Sequence, residues 1–285
     1  MLVIAGFIIV IASVVGGFVM AGGHPVHLFV LSEYIVIIGS ALGAVVTMSS
    51  KHVLIGLIKQ MLGSFKGNPY SKKAYEELFK ALYELFMLGR RNGMIALEEH
   101  ISNPHESSIF GKYTTISKNH HALDFLCGGL RPVIDGKVKP DQLKVLMEIE
   151  LDAMENEHHA PIAVLTKAGD AIPGFGIVAA VLGIVITMGS IAGPIEEIGH
   201  HVGSALVGTF IGILISYGFV NPMIVAMEAI GGSELTYMKC ISGAVIGFAN
   251  GMAPVMAVEV ARRSLSSDVK PKPEELEAML KSIGK

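Results

Sequence analysis

Four stretches of this 285-residue sequence, 2–21, 34–50, 171–195 and 202–227, contain no Asp, Glu, Lys or Arg. Soluble helices carry charge on their outer face, so runs of this length and polarity exclude an ordinary water-soluble fold. The sequence has two cysteines, Cys127 and Cys240, too few for a disulfide scaffold. It lacks a phosphate-cradling Walker loop, a Ser or Cys nucleophile motif and a dinucleotide fingerprint, and no enzyme is expected. Histidines pair at His120 with His121, His158 with His159, and His200 with His201. Adjacent helical residues point about 100° apart, and no Cys or His at three- or four-residue spacing completes a ligand set, so neither metal nor cofactor is expected. No alternating strand pattern, tandem repeat or low-complexity tract is present. A basic leader is missing too: Met1 runs directly into the first apolar stretch, which reads as a retained span.

What is present organises itself around those stretches. A hydrocarbon core about 30 Å thick needs roughly 20 apolar residues in a helix, so each run is long enough for, or close to, one crossing. All 22 lysines and arginines fall within 51–167 or 239–285. Basic residues near span ends are retained in the cytoplasm, which places those two segments and both termini inside and the connectors 22–33 and 196–201 outside. The expected architecture is an all-α membrane protein with four transmembrane helices. It divides into a first hairpin (1–50), a large cytoplasmic helical insert (51–169), a second hairpin (170–227) and a cytoplasmic helical tail (228–285). The net charge of −3 is spread over a mixed-sign surface and points to lipid rather than nucleic acid.

Within the insert, Tyr75, Leu78, Phe79, Leu82, Leu85 and Phe86 recur at steps of three and four, an amphipathic helix over 71–101 that Ser71 could cap. Gly89 and Gly93 weaken its middle and point to a bend or close contact. Residues 103–108 read as a turn and 128–140, with three glycines and two prolines, as an irregular link. Asp141 is then the expected N-cap of a helix through His159, with Leu143, Leu146, Met147, Leu151 and Met154 on its apolar face. A short helix over 273–283 closes the chain.

Small residues dominate the spans. Gly39 with Gly43, and Gly208 with Gly212, are four-residue pairs that let backbones approach, either within one subunit or between subunits. Pro173 and Pro222 near span ends are hinges or merely tolerated. An ion path needs a group on which the ion can land. The mid-depth polar residues, Ser13, Thr47, Thr187, Ser204, Thr209, Ser216 and Tyr217, are neutral, with Glu33 and Asp170 at span edges. If the protein conducts ions, a second polypeptide must supply the carboxylate.

Six ordered segments carry a resemblance over nearly the whole chain: the glycines from Gly16-Gly17 to Gly22-Gly23, Gly93-Met94-Ile95-Ala96-Leu97-Glu98, Asn103-Pro104-His105-Glu106-Ser107, 170–180, 207–214 and 257–263. Together with the four-span plan they resemble the MotA family of flagellar motor stator subunits, within the MotA/TolQ/ExbB proton channel superfamily. An ExbB- or TolQ-like energiser of an outer-membrane transport or cell-envelope system is the alternative, but three-span energisers lack the first hairpin.

The resemblance implies a homopentamer around two copies of a MotB-like single-span protein bearing the ion-accepting aspartate. Ion flow between them turns the ring, whose cytoplasmic part pushes the rotor protein FliG and so supports motility and chemotaxis in the bacterial inner membrane. One charge crossing 100 mV supplies about 2.3 kcal/mol. By the same resemblance Arg90 and Glu98 engage the rotor. On one continuous helix they would lie about 80° apart, with Arg91 within about 20° of Glu98. Glu150 and Arg262 are further candidates for that surface. A plain solvated charged face would show the same residues. Asp170, Pro173 and Pro222 match the acidic residue and prolines that couple ion binding to movement, and Thr209 a hydroxyl lining the path, unless it bonds back to its own helix. Sodium-type relatives tend to place Thr at the position of Ala180. Alanine offers no oxygen to a hard cation, so the transported ion is expected to be the proton.

Overall fold

The computed structural model describes residues 2–189 and 191–283. Met1 of the first hairpin, Ser190 of the third span, and Gly284 and Lys285 of the tail lie outside the described residues. The described residues form helices joined by turns, with no strand among them. The order is α1 (Leu2–Met20), a 3-10 turn (Pro25–Leu28), α2 (Leu31–Met48), α3 (Lys51–Lys66), α4 (Lys72–Asn92), a 3-10 turn (Met94–Leu97), α5 (Glu98–Ser102), a 3-10 turn (Phe110–Lys112), α6 (Thr114–Ser117) and α7 (His120–Ile134). Then come α8 (Pro140–Gly189), α9 (Ile195–Ile215), a π-turn (Ser216–Val220), α10 (Asn221–Ala249), α11 (Pro254–Arg263) and α12 (Pro273–Lys281).

Four helical stretches, Leu2–Met20, Pro25–Met48, Pro140–Gly189 and Ile195–Ala249, are long and apolar enough to cross a membrane. The chain separates into two compact units, one of Met1–Gly67 with Glu157–Ala229 and the other of Asn68–Asn156 with Ile230–Lys285.

In the first unit the apolar residues turn outward. No residue of α1 is buried, and Ile8, Ile9 and Val181 are more than half exposed. At roughly 25 cal/mol per Å² such a surface is costly in water, whereas lipid removes the penalty. Inside, Ile37 and Ala41 of α2, Ile172 and Ala179 of α8 and Ile211 of α9 pack together. Leu57 of α3 packs with Ile162, Leu165, Met223, Ile224 and Met227. Ser50 caps α3 by accepting from the Val53 N–H at 3.4 Å.

The second unit inverts this pattern. Tyr75, Leu78, Phe79, Leu82, Leu85 and Phe86 of α4 are all at most 2% exposed. They share a core with Leu123, Phe125, Leu126 and Leu130 of α7, Leu143 and Met147 of α8, Tyr237, Ile241 and Val245 of α10, and Val258 of α11. Phe86 stacks on Phe248 with ring centroids 4.4 Å apart and planes 7° from parallel.

Several expectations are corrected. The helix read over 71–101 stops at Asn92, because Gly93 adopts φ +86°, a backbone that L side chains avoid. Ser71 stands at the N-cap of α4, but its hydroxyl makes no capping bond. The expected irregular link at 128–140 is helical through Ile134, with Pro132 inside α7. Gly129 lets Met147 approach, since a Cβ there would lie 2.7 Å from the Met147 methyl. The true stop is Gly136 at φ +64°, where Gly136 N–H donates to the Val133 carbonyl and Lys137 N–H to that of Pro132. The helix expected to begin at Asp141 and end near His159 begins at Pro140 and continues without a break to Gly189.

Candidate functional site

The centre of the first unit is the crossing of α8 and α9, built from absent side chains. A Cβ on Gly176 would lie 2.9 Å from the Gly208 carbonyl and 3.1 Å from the Gly212 Cα, and one on Gly212 would lie 2.9 Å from the Gly176 Cα. The Gly208–Gly212 pair therefore serves packing within the chain. Around Gly39 and Gly43 a Cβ would meet nothing within 4 Å, so that pair lies open.

The crossing sorts the expected ion-path residues into two neighbourhoods. Ala179 meets Gly208, its methyl 3.3 Å from where a side chain would begin, and Ala180 and Thr209 are the sequence neighbours of that contact. Both are half-buried. The hydroxyls of Thr47, Thr166 and Thr187 donate to the carbonyl four residues back at 2.8–2.9 Å. Thr209 makes no such bond among the described residues, which leaves its hydroxyl for another partner. In the second neighbourhood Gly169 of α8 faces Asn221, whose Oδ1 lies 3.1 Å from where a Cβ would be. Asp170 and Pro222 flank that contact; both are exposed, while Pro173 is half-buried.

Glu33 was expected at a span edge. It lies in the first turn of α2, yet it is only 5% exposed, and its Oε2 has no hydrogen-bond partner among the described residues. That oxygen rests against Gly208, whose missing side chain makes the room. Gly208 stands six residues into the expected fourth span, about 9 Å along a helix. The interior of this unit therefore holds a carboxyl group. The signal was its position beside a glycine on another span, which spacing along one span does not show.

The charged candidates belong to the second unit. Arg90 and Arg91 end α4, and Glu98 and Glu99 open α5. The signs suit the helix ends, cations at a C-terminus and carboxylates at an N-terminus. Because Gly93 breaks the helix, the expected 80° relation between Arg90 and Glu98 does not apply. They stand on separate helices, and the 3-10 turn between them packs back on α4, with Leu97 against Gly89. Arg90, Arg91, Glu98 and Glu150 are exposed and make no ion pair among the described residues. Elsewhere on α4 charge is already committed: Glu84 accepts from Lys112 Nζ and Tyr113 Oη, both at 2.6 Å.

Arg262 does not belong to that exposed set. It is 7% exposed, and its guanidinium donates from Nε and Nη2 to Glu259 at 2.7 and 2.8 Å and from Nη1 to the Pro271 carbonyl at 2.9 Å. The hydrogen bonds from Arg262, helped by Arg263, pull the Glu259 carboxyl down to about 2. Arg262 ties α11 to the tail.

Two known families cover most of the chain. Residues 4–93 match the family described as Motility protein A N-terminal, and residues 117–239 match the MotA/TolQ/ExbB proton channel family. Motility protein A of Salmonella typhimurium is 36% identical over 283 residues, covering 99% of this chain and 96% of that one. Chemotaxis protein LafT of Vibrio parahaemolyticus is 34% identical, covering 96% of each. The flagellar MotAB stator complex from Bacillus subtilis aligns with a TM-score of 0.75 at 25% identity over 96% of this chain and 98% of that chain. The C. jejuni MotAB structure shares the fold, with a TM-score of 0.78 at 22% identity over 93% and 96% of the two chains. The N-terminal match disfavours a three-span energiser. Relatives this similar over nearly the full length show that the chain belongs to the Motility protein A family, the flagellar stator subunits of the MotA/TolQ/ExbB proton channel family.

Proposed function

We propose that this chain forms the ring of a torque-generating stator in the bacterial inner membrane. Protons pass along its interface with a MotB-like single-span partner, and the exposed charges of its cytoplasmic unit push a FliG-type rotor. The carrying observation is the α8–α9 crossing, where two helices meet backbone to backbone at Gly176 and Gly212, with Ala180 and Thr209 next in sequence to the Ala179–Gly208 contact and no hydrogen bond from the Thr209 hydroxyl among the described residues. A wall this closely packed moves as one piece, while a hydroxyl passes a hydrogen bond to a carboxylate that gains and loses a proton. Asp170 and Pro173 of α8 and Pro222 at the start of α10 stand next in sequence to the second close approach, that of Gly169 to Asn221.

The partner supplies the carboxylate on which the ion lands. Glu33, buried near the outward end in the proposed topology, is a second acidic group close to the path and does not replace it. Ala180 favours the proton, because sodium, a hard cation, prefers oxygen ligands. Five chains around two partner helices, with both termini cytoplasmic, complete the reading.

The test is reconstitution. Liposomes holding this chain with a MotB-like single-span protein from the same organism should dissipate a pH gradient, and liposomes holding either alone should not; dissipation by this chain alone would remove the proposal. Counting chains in images of the purified complex checks the pentamer. Motility that tracks external sodium at a fixed proton-motive force would reassign the ion.

A further inference from the structure

Pro173 has no N–H, so the carbonyl four residues back in α8, that of Gly169, loses its helical donor. In the membrane such an acceptor must find another partner. It finds Ser216: the buried hydroxyl, on a residue 1% exposed, donates to the Gly169 carbonyl at 2.7 Å. Ser216 is also the first residue of the π-turn before Pro222, and its own carbonyl accepts from the Asn221 N–H five residues on. Pro222 likewise lacks an N–H, so the chain ahead of it cannot keep the α-helical ladder, and the wider turn takes up the mismatch. The two segments are held close, since a Cβ on Gly169 would lie 3.0 Å from Val220 Cγ1 and 3.1 Å from Asn221 Oδ1. One serine thus touches both proline segments: its side chain satisfies the carbonyl orphaned by Pro173, and its backbone opens the π-turn that precedes Pro222.

We infer that Ser216 is the positioning residue that joins the Pro173 and Pro222 hinges, so that bending at one is passed to the other during ion-driven movement. The hydroxyl has a second acceptor within reach of a rotamer change, the Gly212 carbonyl four residues back, the bond that Thr187 makes to Gly183. Donation to Gly169 holds the helices together, and donation to Gly212 releases them. Such an exchange gives two discrete arrangements, the second of which leaves the Gly169 carbonyl without its donor and is therefore the higher in energy. The coupling to movement rests on the stator function proposed above; the hydrogen bond itself does not.

A double-mutant cycle on the full complex with its single-span partner tests the bond. Ser216→Ala should lower the thermal midpoint by roughly 2–4 °C, the shift expected for losing one buried hydrogen bond in a chain of this size. In a Pro173→Ala background, where the introduced alanine brings an N–H that can donate to Gly169, the same change should have almost no effect. An equal loss in both backgrounds would overturn the assignment. Should Pro173→Ala fail to assemble, Ser216→Thr against the isosteric Ser216→Val decides: Thr should keep the wild-type midpoint and Val should lose it, and equal behaviour overturns the bond. Motility separates the two layers. Ser216→Ala should slow swimming, with Ser216→Thr restoring it, while pH-gradient dissipation persists. Normal swimming by Ser216→Ala beside a non-additive thermal cycle would leave the bond standing, refute its role in movement and leave the stator reading untouched.

Discussion

Leucine, isoleucine and phenylalanine are abundant in both units, yet they point in opposite directions. In the second unit six apolar residues of α4 lie within 2% of complete burial. In the first, α1 buries none. The same side chains form a core where water is the surroundings and a coat where lipid is. Cohesion must then come from elsewhere in the membrane unit, and it comes from missing atoms: Gly176, Gly208 and Gly212 bring backbones together where no hydrophobic drive exists between helices.

The sharpest way to break this contrast is to remove one large ring from the buried core. Phe86→Ala should destabilise the second unit by about 3–5 kcal/mol, because the site holds a stacked partner and cannot collapse. Ile8→Ala, on a residue 61% exposed, should leave the thermal midpoint of the purified complex nearly unchanged. A comparable loss from both would mean that α1 is buried against another subunit. Next in size, Gly212→Val should cost about 1–3 kcal/mol by forcing α8 and α9 apart, and should abolish pH-gradient dissipation. Gly43→Val, which meets open space within the chain, should not disturb the fold of the subunit.

Glu259→Gln should cost about 2 kcal/mol near neutral pH, the scale of charge-assisted hydrogen bonds to Arg262 and Arg263. The folded carboxyl is held below its unfolded value, so its stabilisation is complete above the ordinary carboxylate range. It disappears as pH falls through about 4 towards about 2. Denaturation of wild type and variant should therefore converge in acid; a constant difference down to pH 2 would deny the ionic origin. Smallest in stability is Arg90→Glu, or Glu98→Lys, on exposed residues that make no ion pair among the described residues, within about 0.5 kcal/mol of wild type. Their expected effect is on torque, measured as the speed of tethered cells, with the complex still assembled. Undiminished torque in the double reversal would remove both from the rotor surface.

Periodicity made α4 legible residue by residue, since a helix with one wet face must repeat its apolar side chains every third or fourth position. The spans were legible for a different reason, the exclusion of charge. What escaped were relations between distant segments. Arg262 reads as a surface cation until Glu259 and the Pro271 carbonyl are seen to surround it. Glu33 reads as an edge residue until Gly208 gives it a cavity. Ser216 reads as one neutral hydroxyl among several until the carbonyl orphaned by Pro173 is located beside it. Glycine-rich 128–140 was misread because Pro132 near a helix end is tolerated and the terminating glycine was Gly136.

Both native thiols are buried, and desolvation pushes Cys127 up to about 12. Burial thus keeps the reactive thiolate scarce at neutral pH. The wild-type chain therefore has a quiet background for maleimide chemistry. A cysteine introduced at exposed position 98 should take a fluorophore or spin label selectively, so probes can follow this protein as it works without first stripping its own sulfur from the core.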